Sequence, residues 1–243
     1  MKTNSLLPRE IRRYNKQIML DELGVEGQKK LKKAKVIVVG AGGLGCPVLQ
    51  YIAAAGVGKI AIVEFDMVDE TNLQRQVLYG SSDVGKLKSI IAKGRLEQLN
   101  NFCTFEIINL KLDAGNAVRI ISDYDIVVDA TDNFEARYAI DDACSALNKP
   151  MAHGAIHKFE GIVSVFNYKG GPTYRDYNPP VPDERFKNPD ALQIGLPGTL
   201  PGIIGTFMAN EVIKIITGIG EPLSGKFLYI NILNNDIRTF SIT

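Results

Sequence analysis

Apolar and polar positions alternate along this chain in a pattern that predicts an α/β protein. Short continuous apolar runs, typical of strands buried on both faces, are separated by longer segments with helical spacing of apolar residues. The predicted strands are 35–39, 59–65, 104–110 and 125–129. The predicted helices are 8–20, 44–55, 84–99, 116–122 and 134–147. Strand–helix alternation of this kind predicts a Rossmann-like, mostly parallel sheet with helices on both faces.

The pattern changes after residue 150. Further strands are predicted at 151–155, 161–168, 226–232 and 236–242, and a helix at 203–217. Residues 169–202 are rich in proline and glycine and predict a long irregular crossover loop. We therefore expect one domain over 1–243, whose parallel sheet is continued by an antiparallel edge. Its expected parts are an N-terminal helical segment (1–30), a nucleotide-binding half (31–150) and an antiparallel half (151–243).

Composition and charge narrow the possible functions. The formal net charge is +1, with 45% hydrophobic and 23% charged residues, which gives no support to a nucleic-acid or membrane-surface role. No apolar run reaches the roughly 20 residues of a membrane span. The three cysteines form no CxxC pair, as expected in a reducing cytosol. We expect a cytoplasmic protein that binds neither nucleic acid nor membrane.

A glycine-rich loop follows the first strand. Gly40, Gly42 and Gly45 have the GxGxxG spacing, with Gly43 between them, and glycine lets the backbone approach phosphates at the start of the next helix. Glu64 lies roughly 20 residues further on, at the end of the second strand, where a carboxylate accepts hydrogen bonds from ribose hydroxyls. Asp66 is the second candidate for that role; the alternative is an ordinary solvent-exposed acid at a strand end.

Polar residues after the second strand favour a triphosphate over a dinucleotide. Asn72, Arg75 and Gln76 offer amide donors and a planar guanidinium to phosphate oxygens. Lys88, near the start of the following helix, is poorly placed against the helix dipole, which suggests a phosphate ligand. Taken alone, each group is also compatible with an ordinary polar surface.

Asp132 comes three residues after the strand at 125–129. A carboxylate at the carboxyl end of a parallel strand is well placed to hold Mg²⁺ against phosphates. The competing interpretation is that Asp132 is the N-cap of the helix beginning at Phe134. Asp129 is expected to be structural. For His153 and His157, packing or hydrogen bonding is favoured over substrate contact.

Several motifs in order resemble the ThiF/MoeB/HesA family, relatives of ubiquitin-activating enzymes. They are Gly-Ala-Gly-Gly-Leu-Gly at 40–45, Asn-Leu-Gln-Arg-Gln at 72–76, Val-Gly-Lys-Leu-Lys at 84–88 and Asp-Ala-Thr-Asp-Asn at 129–133. The resemblance also includes 12–18, 161–166 and 201–205, so it covers nearly the whole chain.

The resemblance implies an enzyme that uses MgATP to convert a carboxylate into acyl-AMP and pyrophosphate. It implies that Glu64 binds ribose, that Asn72, Arg75 and Lys88 bind phosphates, and that Asp132 binds Mg²⁺. It also implies a homodimer in which an arginine near the N-terminus reaches into the partner's site. Lys16 holds that position here, so the charge is kept and the bidentate fork is lost.

Two departures from the family pattern affect the expected chemistry. Most members hold a structural zinc between two CxxC pairs, but the first site reads Thr-Tyr-Arg-Asp at 173–176 and no second pair follows. We therefore expect no zinc site. Thioester-forming relatives carry a cysteine in the crossover loop, and 169–202 contains none. The acyl-AMP is therefore expected to be released or passed to a separate acceptor protein.

These departures favour a small-molecule carboxylic acid as substrate. The zinc-free and cysteine-free pattern resembles HcgE, which activates a pyridinol carboxylate in iron-guanylylpyridinol cofactor biosynthesis. Crossover-loop residues would either contact such a planar acid or anchor the loop: Tyr174, Arg175, Tyr177 and Arg185.

The first alternative is adenylylation of the C-terminal glycine of a ubiquitin-fold sulfur carrier of the ThiS/MoaD type. A remote alternative is an NAD-dependent oxidoreductase, which leaves Asn72, Arg75 and Asp132 unexplained. A non-catalytic nucleotide-binding scaffold is disfavoured because nearly every phosphate and metal position is present.

Overall fold

The computed structural model describes residues 5–179 and 195–242. Within them, eight strands form one sheet: β1 (Lys35–Val39), β2 (Lys59–Val63), β3 (Thr104–Ile108), β4 (Ile126–Asp129), β5 (Met151–His157), β6 (Glu160–Phe166), β7 (Lys226–Asn231) and β8 (Asp236–Ser241). The α-helices are α1 (Pro8–Arg13), α2 (Asn15–Ile18), α3 (Gly24–Lys33), α4 (Gly45–Ala55), α5 (Lys88–Leu99), α6 (Ala117–Ile121), α7 (Phe134–Leu147), α8 (Tyr174–Tyr177) and α9 (Thr199–Thr217).

The sheet has the order β3-β2-β1-β4-β5-β6-β7-β8. Neighbouring strands from β3 to β5 are parallel, and those from β5 to β8 are antiparallel. This is the Rossmann-like sheet with an antiparallel edge that the sequence predicts. The parallel strands need crossover helices, whereas the later strands are joined in part by tight hairpins.

The continuous apolar runs are explained by helices on both faces of the sheet. Val36 and Val38 of β1 pack in one buried cluster with residues of α4, α5 and α9. Ile37 and Val39 of the same strand pack in a second cluster with residues of α6 and α7. Successive side chains of a strand point to opposite faces, so a strand covered on both sides has no solvent-facing polar positions.

Helix α9 is 19 residues long with a mean hydropathy of 1.2, enough by length and composition to cross a membrane. It packs against α4, β5 and β6, and Ile204, Met208 and Val212 are fully buried. These contacts are those of a core helix of the α/β fold.

The N-terminal third departs from the predicted elements. The helix predicted at 8–20 is two short helices separated at Tyr14, whose buried hydroxyl accepts a hydrogen bond from Asn100 (2.8 Å). Helix α3 is absent from the predicted set because only Gly27, Gln28 and Leu31 of its ten residues are buried, leaving no apolar stripe. Helix α5 begins at Lys88, four residues later than predicted.

The crossover segment is partly regular in the described residues. Tyr174–Tyr177 form the short helix α8, with Thr173 as N-cap accepting from the Asp176 amide (3.1 Å). Helix α9 begins at Thr199, four residues before the predicted start.

Candidate functional site

A cleft of about 410 Å³ lies at the carboxyl ends of the parallel strands. Strands β1 and β4 are neighbours, but the helices that follow them pack on opposite faces of the sheet. Such a topological switch point leaves a crevice in which ligands of α/β proteins bind. Nine of the twelve predicted site residues line it: Gly40, Gly42, Gly43, Glu64, Asp66, Arg75, Gln76, Lys88 and Asp132.

The glycine loop is shaped by close backbone contacts. Gly40 has φ +96°, and a Cβ there would lie 2.7 Å from the Ala130 carbonyl oxygen. A Cβ on Gly45 would lie 2.0 Å from the Gly40 carbonyl oxygen. Gly45 does not line the cleft, so its role is to let the loop close onto the start of α4.

Two buried side chains fix the Ala41 peptide groups in this loop. The Ala41 amide donates to Glu64 Oε2 (2.9 Å), and the Ala41 carbonyl accepts from the Tyr79 hydroxyl (2.8 Å). Burial raises the pKa of Tyr79, so the hydroxyl remains a donor at neutral pH. No motif in the sequence indicates this role of Tyr79.

Glu64 is a structural anchor as well as a lining residue. It is 7% exposed, and its Oε1 accepts from the amides of Phe65 (2.8 Å) and Asp66 (2.9 Å). A carboxylate has about four lone-pair sites, so acceptor capacity remains for a ligand hydroxyl. The geometry fits the ribose role and adds the function of holding β2 against the glycine loop.

Two cations stand beside the loop. Lys88 is 5% exposed, and its Nζ lies 3.3 Å from Asp66 Oδ2. Arg75 is half-buried and its Nη1 donates to the Thr71 carbonyl (3.0 Å). A buried ammonium carries a desolvation cost that a nearby anion offsets, and phosphate oxygens are suited to that role.

Asn72 and Gln76 have different positions. Asn72 does not line the cleft; its carbonyl accepts from the amides of Arg75 (3.0 Å) and Gln76 (2.9 Å), so it builds the turn that presents them. Gln76 is buried and lines the cleft. Its Oε1 has no hydrogen-bond partner in the part of the chain that the structure describes.

Asp132 is not the N-cap of α7. The cap is Asn133, whose Oδ1 accepts from the Ala136 amide (2.9 Å), because Asn133 directly precedes Phe134, the first residue of the helix. The exposed Asp132 carboxylate lines the cleft and contacts Asn133 Nδ2 (3.3 Å). It is therefore available as a metal ligand.

The residues of the cleft fit a weakly held magnesium ion. No group of three or more His, Cys, Asp or Glu that could hold a metal occurs among residues 5–179 and 195–242. Mg²⁺ in nucleotide sites commonly uses one or two carboxylates together with phosphate oxygens and waters. Asp132 is the carboxylate that would hold it here, with the triphosphate as the other ligand.

A buried hydrogen bond between Asp129 and His153 supports the strand end below Asp132. Asp129 Oδ2 lies 2.7 Å from His153 Nδ1, and Asp129 Oδ1 accepts from the Thr131 amide (3.0 Å) and hydroxyl (2.6 Å). Burial lowers the pKa of His153. Burial opposes ionisation of Asp129, but the hydrogen bond and charge of His153, the charge of Arg137 and the hydrogen bond from Thr131 together outweigh it, so the pKa of Asp129 is lowered. Both residues are structural, as predicted.

Sequence reasoning missed several lining residues. Lys111 follows β3, Arg137 lies in the first turns of α7, and Lys158 follows β5. His157, for which the sequence favours packing or hydrogen bonding over substrate contact, also lines the cleft at the end of β5. Isolated basic residues carry no motif, and only the order of the strands brings them together. With Arg75 and Lys88, the described lining contains five lysine or arginine side chains against three carboxylates, a balance suited to a polyanionic ligand.

The crossover-loop residues in the described part serve as anchors. Tyr174 is buried, and Arg175 makes a bidentate contact with Asp142 (2.5 and 2.7 Å). Tyr177 packs on Phe227, with ring centroids 4.2 Å apart. Arg185 lies outside the described residues. The geometry supports the anchoring interpretation for Tyr174 and Arg175.

Lys16 does not line the cleft of its own chain. It lies on α2 beside a second cavity of about 300 Å³, together with Arg13, Tyr14 and Gln17.

Comparisons with known proteins agree with this geometry. Residues 14–243 match the ThiF family. The chain is 47% identical over 233 residues to a probable molybdopterin-synthase adenylyltransferase of Porphyra purpurea, covering 96% of this chain and 61% of that relative. It is 44% identical over 238 residues to the sulfur carrier protein adenylyltransferase of Thermus thermophilus, covering 96% and 88%. The chain thus spans about three-fifths of the algal relative and most of the bacterial one.

Solved structures show the same fold. Escherichia coli MccB with ATP superposes with a TM-score of 0.83 at 26% identity, covering 95% of this chain and 71% of MccB. The protein PaaA superposes with a TM-score of 0.82 at 23% identity, covering 100% of this chain and 76% of PaaA.

Proposed function

This chain belongs to the ThiF family, its matched relatives are adenylyltransferases, and we propose that it adenylylates the C-terminal glycine of a ubiquitin-fold sulfur carrier. The relatives named above act by their names on sulfur carrier protein or molybdopterin synthase. They favour the carrier over the pyridinol carboxylate that the missing zinc and loop cysteine suggested. The observation that carries the chemistry is the cleft, in which Arg75, Lys88 and Asp132 surround the glycine loop.

The reaction needs positioning and charge neutralisation more than acid–base catalysis. A carboxylate with an ordinary pKa near 4 is ionised at neutral pH, so its attack on the α-phosphorus requires no general base. Glu64 would orient the ribose, while Arg75, Lys88 and the amides at the start of α4 would stabilise charge on the phosphates. Mg²⁺ held by Asp132 would supply further charge neutralisation at the phosphate oxygens. Pyrophosphate leaves, and acyl-AMP remains in the cleft.

No cysteine of this chain is suited to take the acyl group. Cys46 and Cys144 are fully buried and Cys103 is partly buried. Burial raises the pKa of Cys46 and of Cys103 to about 12 and also raises the pKa of Cys144. The thiolate is the nucleophilic form, so a separate protein is the proposed acceptor, in the cytoplasm where ATP and carrier meet.

A homodimer is part of the proposal. Lys16 is exposed and lies beside a different cavity from the nucleotide cleft. For Lys16 to contact the phosphates, it must act on the cleft of a second copy, as the family resemblance implies. Mixing Lys16→Ala with a Lys88→Met chain, whose own cleft is expected to be inactive, tests this: a shared site restores activity in the mixture, whereas independent subunits give none.

ATP–pyrophosphate exchange tests the proposed activity. We expect Mg²⁺-dependent exchange with a carrier ending in Gly-Gly, and none with a pyridinol carboxylic acid. Lys88→Met should abolish exchange, because a buried cation beside the phosphates is lost. Lys93→Met is the matched control on the same helix, since Lys93 does not line the cleft, has a partly exposed side chain and contacts only Glu97 (3.8 Å) among the ion pairs described. Exchange driven by the small acid alone would refute the proposed substrate.

A further inference from the structure

The connection between β4 and α7 (residues 130–133) carries Asp132 between two firmly held residues. Thr131 precedes it, and the Thr131 amide (3.0 Å) and hydroxyl (2.6 Å) both donate to Asp129 Oδ1. Asn133 follows it, and its Oδ1 accepts from the Ala136 amide (2.9 Å) as the cap of α7. The backbone on either side of Asp132 is therefore fixed, while the Asp132 side chain is exposed and lines the cleft.

Arg137 completes the support of the β4–α7 connection. Its Nη2 donates to the Thr131 carbonyl (3.1 Å), which belongs to the peptide group that joins Thr131 to Asp132. Its backbone amide donates to the Asn133 carbonyl (3.3 Å), and its guanidinium lies 5.3 Å from the centroid of the Phe134 ring. Arg137 therefore contacts the residues on both sides of Asp132 and fixes the orientation of the peptide group that precedes it.

The guanidinium of Arg137 also contacts Tyr174 of the crossover helix α8. Tyr174 is 1% exposed, and its ring centroid lies 5.0 Å from that of His153 and 5.6 Å from that of Phe166. Burial raises the pKa of Tyr174, and the charge of Arg137 and its hydrogen bond to the tyrosine hydroxyl partly offset that rise. The Tyr174 amide donates to Asp141 (2.9 Å), one turn after Arg137 on α7. The guanidinium is thus held between the β4–α7 connection and a rigid phenol.

We propose that Arg137 is a positioning residue that keeps the Asp132 carboxylate in place to bind Mg²⁺, and that Tyr174 makes this support depend on the docking of α8. The inference rests on the proposed function, because the ion belongs to the same MgATP site. Groups that orient a metal ligand typically change the metal affinity by about 10–100-fold when they are removed. In this arrangement Arg137 acts through Asp132, since its Nε is shielded from solvent and its Nη2 donates to Thr131.

Calorimetric binding of ATP without any carrier tests the proposal. The quantity compared is the Mg²⁺ factor, which is the Kd of ATP in EDTA divided by its Kd with Mg²⁺. We expect a factor of about ten or more for the wild type and a factor near one for Asp132→Asn. Arg137→Gln should lower the factor about tenfold. The double variant should have the same factor as Asp132→Asn alone, because Arg137 acts only through Asp132.

Two control variants separate positioning from the loss of a hydroxyl or a charge. Tyr174→Phe should lower the Mg²⁺ factor about threefold in the wild type and leave it unchanged in Arg137→Gln. Tyr138→Phe is its control, because that ring neighbours Tyr174 (5.7 Å between centroids) and its hydroxyl contacts the Pro179 carbonyl (3.5 Å). Arg119→Gln is the control for charge, because Arg119 is exposed on α6 and does not line the cleft. Both controls should keep the wild-type factor.

Two results would overturn the proposal. If Arg137→Gln weakens ATP binding equally with and without Mg²⁺, then Arg137 acts on the nucleotide or on the fold as a whole. If the wild type binds ATP equally well with and without Mg²⁺, then Asp132 does not hold the ion.

A conservative variant keeps the test decisive if Arg137→Gln does not fold. Arg137→Lys keeps the charge and one donor for the Thr131 carbonyl but loses the planar fork, so its Mg²⁺ factor should be about threefold below the wild-type value. A wild-type factor in Arg137→Lys would contradict the positioning role of the guanidinium. Because no carrier is present, an error in the proposed substrate would appear only as missing carrier-driven exchange and would leave these factors unchanged.

Discussion

Replacing Glu64 with glutamine should weaken the fold and the nucleotide site together. Glu64 accepts three backbone hydrogen bonds, from the amides of Ala41, Phe65 and Asp66. A glutamine keeps the shape of the side chain but has one acceptor oxygen. Its best orientation keeps the two bonds to Phe65 and Asp66, and turns its NH₂ group toward the Ala41 amide, so that two donors face each other.

The cost follows from these three bonds. A buried amide left without an acceptor costs about 1–3 kcal/mol, and the two remaining bonds weaken because the acceptor loses its charge, by roughly 1 kcal/mol together. We therefore expect the free energy of unfolding to fall by about 3 kcal/mol. For a chain of this size that corresponds to roughly 6–12 °C in Tm.

Thermal unfolding with and without MgATP is the assay. The wild type should gain stability when ATP binds, and Glu64→Gln should lose most of that gain, because Ala41 in the glycine loop is no longer held. Glu135→Gln is the matched control: its side chain is 71% exposed and contacts Lys111 (3.2 Å), so Tm should change by less than about 2 °C. A Glu64→Gln protein with unchanged Tm and an unchanged response to ATP would refute the anchoring role.

Three further changes test other parts of the account. Gly45→Ala should unfold or strongly destabilise the chain, because the new Cβ would lie 2.0 Å from the Gly40 carbonyl oxygen. The control Gly94→Ala, whose new Cβ has nothing within 4 Å, should raise the free energy of unfolding by about 0.5–1 kcal/mol. Equal Tm values for the two variants would contradict this. Burial lowers the pKa of His153, so below about pH 6.5 the unfolded state binds a proton that the native state does not, and stability should fall as the pH drops. A His153→Asn variant should show a flatter dependence of Tm on pH between about 7 and 5. If the slope of Tm against pH is unchanged, a group other than His153 binds the proton. Asp132→Asn should raise the Mg²⁺ concentration needed for half-maximal exchange by about tenfold or more, with little change in Tm. An unchanged Mg²⁺ titration would mean that Asp132 does not bind the metal.

The parallel half of the fold was predictable because its strands are covered on both faces. The runs at β1 and β4 are continuous and apolar, and the glycine loop directly follows the first of them. Helix α3 has no such signature, because most of its surface is exposed and polar. The boundary between Asp132 and Asn133 was also undecidable from sequence, since aspartate and asparagine cap helices about equally well.

The nucleotide half of the site follows motifs, whereas the other basic residues of the cleft do not. Arg75, Lys88 and Glu64 stand at spacings that a phosphate or ribose ligand requires, and all three line the cleft. Arg137 and Lys158 are single basic residues in unremarkable contexts, and only the adjacency of β4 and β5 brings them to the cleft.

The substrate is the point at which sequence reasoning and the comparisons differ most. Absence of a loop cysteine and of a CxxC pair suggested a small acid, yet relatives at 44–47% identity are named for protein substrates. The difference has a chemical explanation. Adenylylation itself uses neither a thiol nor zinc, so losing them changes the fate of the acyl-AMP without changing the carboxylate that is activated.

Intact-mass analysis of a Gly-Gly carrier incubated with this protein and MgATP tests the central claim most directly. The account predicts a carrier that gains the mass of an adenylyl group (AMP less one water) on its C-terminal carboxylate, and no gain when the last glycine is removed or when Lys88→Met replaces the wild type. Unmodified carrier, alongside an adenylate formed on a small carboxylic acid, would contradict it.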